Sequence, residues 1–100
     1  MSDRPTYASM DEVRAAIDAL DVKLMPLIAD RAHCIAEAAR IKGDPDTALV
    51  EWRVEEVAKH ARALAAENDI DVDLAEKIWR AMMREFIAHE RRLMEEAAQG

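Results

Sequence analysis

The sequence is poor in several residue types, and each shortage excludes a class of structure. Its 100 residues include one cysteine, two glycines, three prolines and four aromatic residues. A single cysteine, Cys34, cannot form a disulfide within the chain, which favours a reducing compartment. So few turn-forming residues, together with little strand-forming material, exclude most β architectures and predict an all-α domain.

Long apolar runs and an excess of positive charge are missing as well. The first ten residues, MSDRPTYASM, lack the apolar centre of a signal peptide, and no run is long enough to cross a bilayer. We therefore expect a cytoplasmic protein. A net charge of -7 argues against nucleic acid or an anionic membrane as partner. The three histidines share no ligand-like spacing with each other or with Cys34, so we expect no metal site.

What the sequence does contain is helical periodicity in three segments. In the first segment, apolar residues recur in alternating steps of three and four, which is typical of a helix with a heptad-like seam. Ser9 and Glu12 have the spacing of a capping box at its start. Gly43 followed by Pro45 indicates its end. The seam consists of Met10, Val13, Ile17, Leu20, Leu24, Leu27, Arg31, Cys34, Ala38 and Ile41.

Two shorter helices are predicted to follow. The second begins near Asp46 or Thr47 and ends around Asn68, with Val50, Val54, Val57, Ala61 and Leu64 as its apolar stripe. Asp71 or Asp73 is the predicted N-cap of the third. Its stripe contains Ile78, Trp79, Met82, Met83, Phe86, Ile87, Leu93 and Met94. The predicted organisation is an N-terminal tail at residues 1–8 and an all-α domain of three helices at residues 9–98.

The length of the first helix predicts a second copy of the chain. About 33 residues at about 1.5 Å each give a helix of about 50 Å. A compact domain of this size has a radius of gyration of only about 13 Å. The two shorter helices cannot bury the whole seam, so we predict an intertwined homodimer. An elongated monomer is the alternative.

Three charged residues interrupt the apolar stripes. Arg31 takes the heptad position of Ile17 and Leu24, and Lys42 lies 11 residues further on the same face, with the two Cα atoms about 16 Å apart. Glu90 continues the stripe of the third helix. Long cations can extend their heads to water from a buried stem, and Glu90 and Arg31 can form a buried ion pair. The third interpretation is a pocket for a small dianion, since Arg binds carboxylates in bidentate fashion.

Arg14 bears on the same question. It precedes Arg31 by 17 residues, about 25 Å along the helix axis, which is too far for both to bind one small ligand within a single helix. In an antiparallel pair of long helices, Arg14 reaches the pocket of the second chain.

Together these residues resemble the all-helical chorismate mutase family, which includes the related isochorismate-pyruvate lyases. The resemblance rests on VRAAIDALDVKLMPLIADR (13–31), IK (41–42), WRV (52–54) and FIAHE (86–90). It spans roughly residues 10–95. Its core signature, Arg–x6–Asp–x9–Arg–x10–Lys, is met by Arg14, Asp21, Arg31 and Lys42.

The resemblance implies a dimer with two identical sites, each built from both chains. Arg14 of one chain joins cations and Glu90 of the other, and these side chains hold the two carboxylates and the ether oxygen of the substrate. The implied polar residues are Arg14, Arg31, Lys42, Arg53 and Glu90. The implied apolar wall is Ile35, Val54, Val57, Met83 and Ile87.

The implied reaction is the rearrangement of chorismate to prephenate, which needs no nucleophile, metal or cofactor. The protein selects the compact substrate conformer and stabilises negative charge on the breaking ether oxygen. Lys42 and Glu90 are the implied donors to that oxygen. Because a carboxyl donates a hydrogen bond only when it is protonated, the rate is expected to rise as the pH falls.

Two departures from the family pattern keep other functions open. Many mutases have acidic residues around the second-helix Arg, whereas Val50 and Val54 stand there in this sequence, as in the lyase-like branch. That branch and many bacterial mutases have Gln where this chain has Glu90. An isochorismate-pyruvate lyase forming salicylate is therefore the alternative enzyme. A non-catalytic helical dimerisation module, with buried charges that set the register, is the alternative of another class.

Overall fold

The computed structural model describes residues 4–100 and contains three α-helices. These are α1 (Met10–Lys42), α2 (Glu51–Glu67) and α3 (Val72–Gln99). No strand occurs in the described residues. The predicted all-α class with three helices and a long first one is confirmed. Residues 1–3 of the predicted tail lie outside the described residues, and the domain limits 9–98 stay a prediction.

Local hydrogen bonds account for both ends of α1. The Ser9 hydroxyl accepts from the backbone N–H of Glu12 at 3.2 Å, and the Glu12 carboxylate accepts from that of Ala8 at 2.6 Å. At the other end, Gly43 has φ +73° and donates its N–H to the Ala39 carbonyl at 2.9 Å. A left-handed residue directly after the last turn is the usual way to end a helix. The predicted start and stop of α1 are confirmed.

The predicted start of α2 is wrong. Residues 43–50, here called the connecting segment, contain a 3-10 turn at Pro45–Thr47. The Asp44 carboxylate accepts the Asp46 N–H at 3.0 Å, and the Asp44 carbonyl accepts the Thr47 N–H at 2.9 Å. These bonds satisfy the backbone locally, and Val50 is then extended with φ −124°. The α2 helix therefore begins only at Glu51.

The break between α2 and α3 lies where the sequence predicted it. The N–H of Asn68 donates to the carbonyls of Leu64 and Ala65, both at 3.1 Å, which ends α2 at the expected place. The Asp71 carboxylate accepts from the Leu74 N–H at 2.9 Å. Of the two predicted N-caps, Asp71 is therefore the one used.

The chain divides into two compact units, the first ending at Cys34 and the second being Ile35–Gly100. In the second unit α2 packs on α3. The buried residues of α2 are all alanines, Ala58, Ala61 and Ala65. Because alanine is the smallest side chain with good helix propensity, it lets the two helices approach closely without weakening α2.

The seam of α1 is exposed in the first unit. More than half of the surface of each of its five large residues is exposed, namely Met10, Ile17, Leu20, Leu24 and Leu27. Exposed apolar patches of this kind are typical of surfaces that contact other proteins, membranes or ligands. Within residues 4–100, no helix combines the length and apolar composition of a transmembrane span.

Candidate functional site

The centre of the candidate site is an ion pair between the end of α1 and the middle of α3. The Lys42 Nζ atom donates to the Glu90 Oε2 atom at 2.8 Å. Only 4% of the Glu90 side chain is exposed, against 29% of that of Lys42. A deeply buried carboxylate is costly unless a cation or a hydrogen-bond donor faces it. Lys42 supplies that partner from 48 residues away in the sequence.

The pair depends on where two helices place these residues. Lys42 is the last residue of α1, so its side chain leaves the helix where the connecting segment begins. Glu90 lies on α3, three residues after Ile87 and four before Met94, and is the only buried charged residue in the described part of the chain. Glu90 therefore places a charge within the apolar face of α3, as the stripe in the sequence indicated.

The predicted apolar wall belongs to the same unit as the pair. Met83 and Ile87 lie on the face of α3 that carries Glu90, since Met83 precedes Ile87 by four residues and Ile87 precedes Glu90 by three. Met83 is buried and Ile87 is half-buried. The remaining wall residues, Ile35 on α1 and Val54 and Val57 on α2, are also half-buried.

Arg53 forms an ion pair with a residue of its own helix. Its Nη1 atom donates to the Glu56 carboxylate, one turn later on α2, at 2.6 Å. Both side chains are more than half exposed. An exposed pair of this kind contributes at most about 1 kcal/mol, so another carboxylate can replace Glu56 at low cost.

Arg14 and Arg31 belong to the first unit and are described within it. The Arg14 side chain is 68% exposed, and its Nη1 atom lies 3.8 Å from the Asp11 carboxylate. Arg31 is half-buried on the same helix.

Two features of this unit were not predicted from the sequence. Ala39, Ala48 and Met94 form a buried cluster, with Ile87 and Leu93 packed against it. Glu56 is the partner of Arg53. The sequence did signal Met94 as the next stripe position after Glu90, but nothing in it signalled that the connecting segment packs there.

The arrangement offers hydrogen-bond donors rather than a nucleophile. Lys42 presents an ammonium group with three N–H donors, and Glu90 presents a hydroxyl donor when it is protonated. Donors fixed in a largely apolar cavity stabilise an oxygen that gains negative charge during a reaction. In the described residues, no three His, Cys, Asp or Glu side chains are grouped to hold a metal ion.

Comparison with known proteins identifies the family. The sequence model of chorismate mutase type II matches residues 13–91. The match contains all the candidate residues from Arg14 to Glu90, and it confirms the family that the resemblance indicated. No curated protein and no solved structure gives a significant match.

Proposed function

The chain belongs to the chorismate mutase type II family, and we propose that it catalyses the rearrangement of chorismate to prephenate. The observation that carries the proposal is the partly buried Lys42–Glu90 pair, 2.8 Å apart, within the residues that match the family. In the reaction the ether C–O bond breaks while a C–C bond forms within the same molecule. No proton needs to be transferred, so binding and electrostatics supply the catalysis.

Each polar residue has a defined task in this proposal. Arg14, Arg31 and Arg53 hold the two carboxylates of the substrate and thereby select its compact conformer. Lys42 donates a hydrogen bond to the ether oxygen, where negative charge develops in the transition state. Protonated Glu90 donates a second one.

The protonation state of Glu90 decides whether its carboxyl can donate a hydrogen bond to the ether oxygen. When Glu90 is ionised, it is only an acceptor and it holds the Lys42 ammonium, as the 2.8 Å contact indicates. When Glu90 is protonated, the charge that retains Lys42 disappears and the carboxyl itself becomes a donor. Protonation therefore adds a second donor to the ether oxygen, because the Lys42 ammonium has three N–H groups and can donate to Glu90 and to the ether oxygen at once.

The proposed enzyme is a homodimer in which Arg14 crosses to the site of the other chain. The exposed apolar seam of α1 supports a second copy as its cover. The spacing of about 25 Å between Arg14 and Arg31 supports the assignment of Arg14 to the other site.

An isochorismate-pyruvate lyase is the second candidate. The observation in its favour is the apolar surroundings of Arg53, where Val50 and Val54 are both half-buried. An acidic residue at these positions would contact the substrate hydroxyl in a typical mutase. The same cations would hold isochorismate while salicylate and pyruvate are formed.

A spectrophotometric assay with chorismate and with isochorismate tests the proposal. We expect chorismate loss with formation of prephenate, faster at about pH 5 than at about pH 7.5. Lys42→Ala should lower kcat/KM by about 10²–10³, as does removal of other oxyanion donors. Lys59→Ala, which removes an exposed lysine of α2, is the matched control and should have no effect.

The other outcomes are equally informative. Efficient salicylate formation from isochorismate would make the lyase the function. If the protein forms a dimer but converts neither substrate, a non-catalytic dimerisation module is the remaining candidate function.

A further inference from the structure

The connecting segment directly follows Lys42 and is fixed at both ends. At its start, Gly43 takes a left-handed conformation with φ +73°, and the Gly43 N–H binds the Ala39 carbonyl. Two residues before its end, Ala48 is only 3% exposed. Between these points Asp44 organises the turn through its carboxylate and carbonyl, and the Thr47 hydroxyl donates to that carbonyl at 2.6 Å.

The Met94 side chain of α3 packs with residues on both sides of Lys42. Met94 is 2% exposed, is the largest fully buried side chain of the described chain, and packs with Ala39 and Ala48. Ala39 is the only buried residue of α1. Met94 therefore holds both the last turn of α1 and the end of the connecting segment, on either side of Lys42.

The spacing of these contacts relates Met94 to the ion pair. On α1, Lys42 follows Ala39 by three residues, and on α3, Met94 follows Glu90 by four, so each pair lies on one face of its helix. The last turn of α1 thus touches α3 at two successive points, Ala39 against Met94 and Lys42 against Glu90. Because Ala39 and Lys42 lie in one helical turn, a displacement of Ala39 would also displace Lys42.

We propose that Met94 is a positioning residue, which sets the Lys42 ammonium against Glu90 by clamping Ala39 and Ala48. Met94 lies outside the matched residues 13–91, so the family assignment says nothing about it. It lies four residues beyond Glu90, and its cluster also packs against Ile87 of the predicted apolar wall. The kinetic part of the proposal rests on the proposed function, whereas the positioning itself does not.

The first test needs no substrate. The chain has four lysines, so selective ¹⁵N-lysine labelling gives few signals, and a Lys42→Arg variant assigns that of Lys42. A hydrogen-bonded, partly buried ammonium exchanges its protons slowly enough to be observed. We expect the Lys42 ammonium signal in the wild type and in Met94→Leu, because leucine nearly conserves the volume. We expect its loss in Met94→Ala.

The second test separates positioning from stability. Ala65→Gly weakens α2 by about 1 kcal/mol, a cost typical of glycine inside a helix, and lies away from the cluster. At a temperature where all variants are folded, kcat should fall about tenfold or more in Met94→Ala, since small displacements of a catalytic group have effects of that order. It should be unchanged in Ala65→Gly and largely restored in Met94→Leu.

The outcomes can be told apart. If Met94→Ala does not fold, Ala48→Gly removes the methyl group facing Met94 and should weaken the Lys42 signal and kcat in the same way. A Lys42 signal and kcat that survive in the folded variant would overturn the positioning role. If the wild type converts neither chorismate nor isochorismate, the proposed function fails, while the ammonium signal still decides the position of Lys42.

Discussion

At the level of single residues, the proposed mechanism makes the rate depend on whether Glu90 is protonated. In the proposed mechanism only a protonated Glu90 donates to the ether oxygen, so kcat/KM should rise as the pH falls. In Glu90→Gln the amide donates at any pH and leaves Lys42 unpaired by charge. The pH profile of kcat/KM should therefore be steep in the wild type and flat in the variant. A flat wild-type profile between about pH 5 and pH 8 would remove this role of Glu90.

The same pair predicts a coupling in stability. Lys42→Ala leaves a carboxylate that is 4% exposed without its cation, which should lower the free energy of unfolding by about 1–3 kcal/mol near neutral pH. Adding Glu90→Gln to Lys42→Ala removes the unpaired charge and should recover most of the loss. Denaturant unfolding of the two single variants and the double variant measures the coupling. Additive losses would mean that the two side chains do not interact in solution.

Gly43 permits a prediction about backbone conformation. An added Cβ at Gly43 would meet no atom within 4 Å, so only the φ of +73° opposes a side chain there. We expect Gly43→Ala to cost about 1–2 kcal/mol, which is the usual penalty of the left-handed conformation. Gly43→Asn should cost less, because asparagine tolerates this conformation. Thermal unfolding compares the two, and equal losses would point to a cause other than φ.

At the level of helices, two arginines connect α2 to α3. Arg80 of α3 donates its Nη2 and Nη1 atoms to the Glu55 carboxylate of α2 at 2.8 and 2.9 Å, and its Nε to Glu76 at 2.8 Å. Arg62 of α2 donates to Asp73 at 2.7 Å and to Glu76 at 2.9 Å. Glu76 therefore joins both arginines, and the five side chains form one continuous network.

This network predicts how stability depends on pH. The hydrogen bond from Arg80, and then its charge, lower the pKa of Glu55 below its ordinary value of 4.5. Arg80 and Arg62 likewise lower the pKa of Glu76, and Arg62 that of Asp73. Carboxyls with a lowered folded-state pKa contribute stability that is complete above the unfolded-state pKa and is lost as the pH falls through the folded-state value.

Arg80→Met should accordingly lower Tm near neutral pH, and the difference from the wild type should shrink as the pH falls below about 4. High salt should shrink it too, because the side chains are partly exposed. Arg84→Met, one turn further along α3 at an exposed position, is the matched control. A difference in Tm that is independent of pH would mean that Arg80 acts through packing.

The helices also show what the sequence was able to predict. The ends of α1 and the N-cap of α3 depend on neighbouring residues, and Ser9, Gly43 and Asp71 were recognisable for that reason. The start of α2 was mispredicted because Asp44 and Pro45 close a 3-10 turn that competes with an early helix start. Glu90 stood out as a charge in an apolar stripe. That Met94 packs on Ala48 depends on how the connecting segment folds back, which spacing along the chain does not encode.

At the level of the whole molecule, the exposed seam of α1 and the spread of its arginines predict how the sites are shared. Two inactive variants should complement each other if Arg14 serves the site of the other chain. A heterodimer of Arg14→Ala with Lys42→Ala then has one site lacking both side chains and one intact site. Co-refolding equal amounts should give half heterodimers and thus about a quarter of the wild-type activity.

The control pairs two variants whose residues are proposed to belong to the same chain's site. In a heterodimer of Arg31→Ala with Lys42→Ala, each site lacks one side chain, so mixing should restore nothing. If Arg14 instead completes the site of its own chain, the first mixture behaves like the control and stays inactive, because neither site is intact. Recovery in the first mixture alone therefore requires both a dimer and a site built from two chains, which neither sedimentation nor a kinetic constant of a single variant can establish.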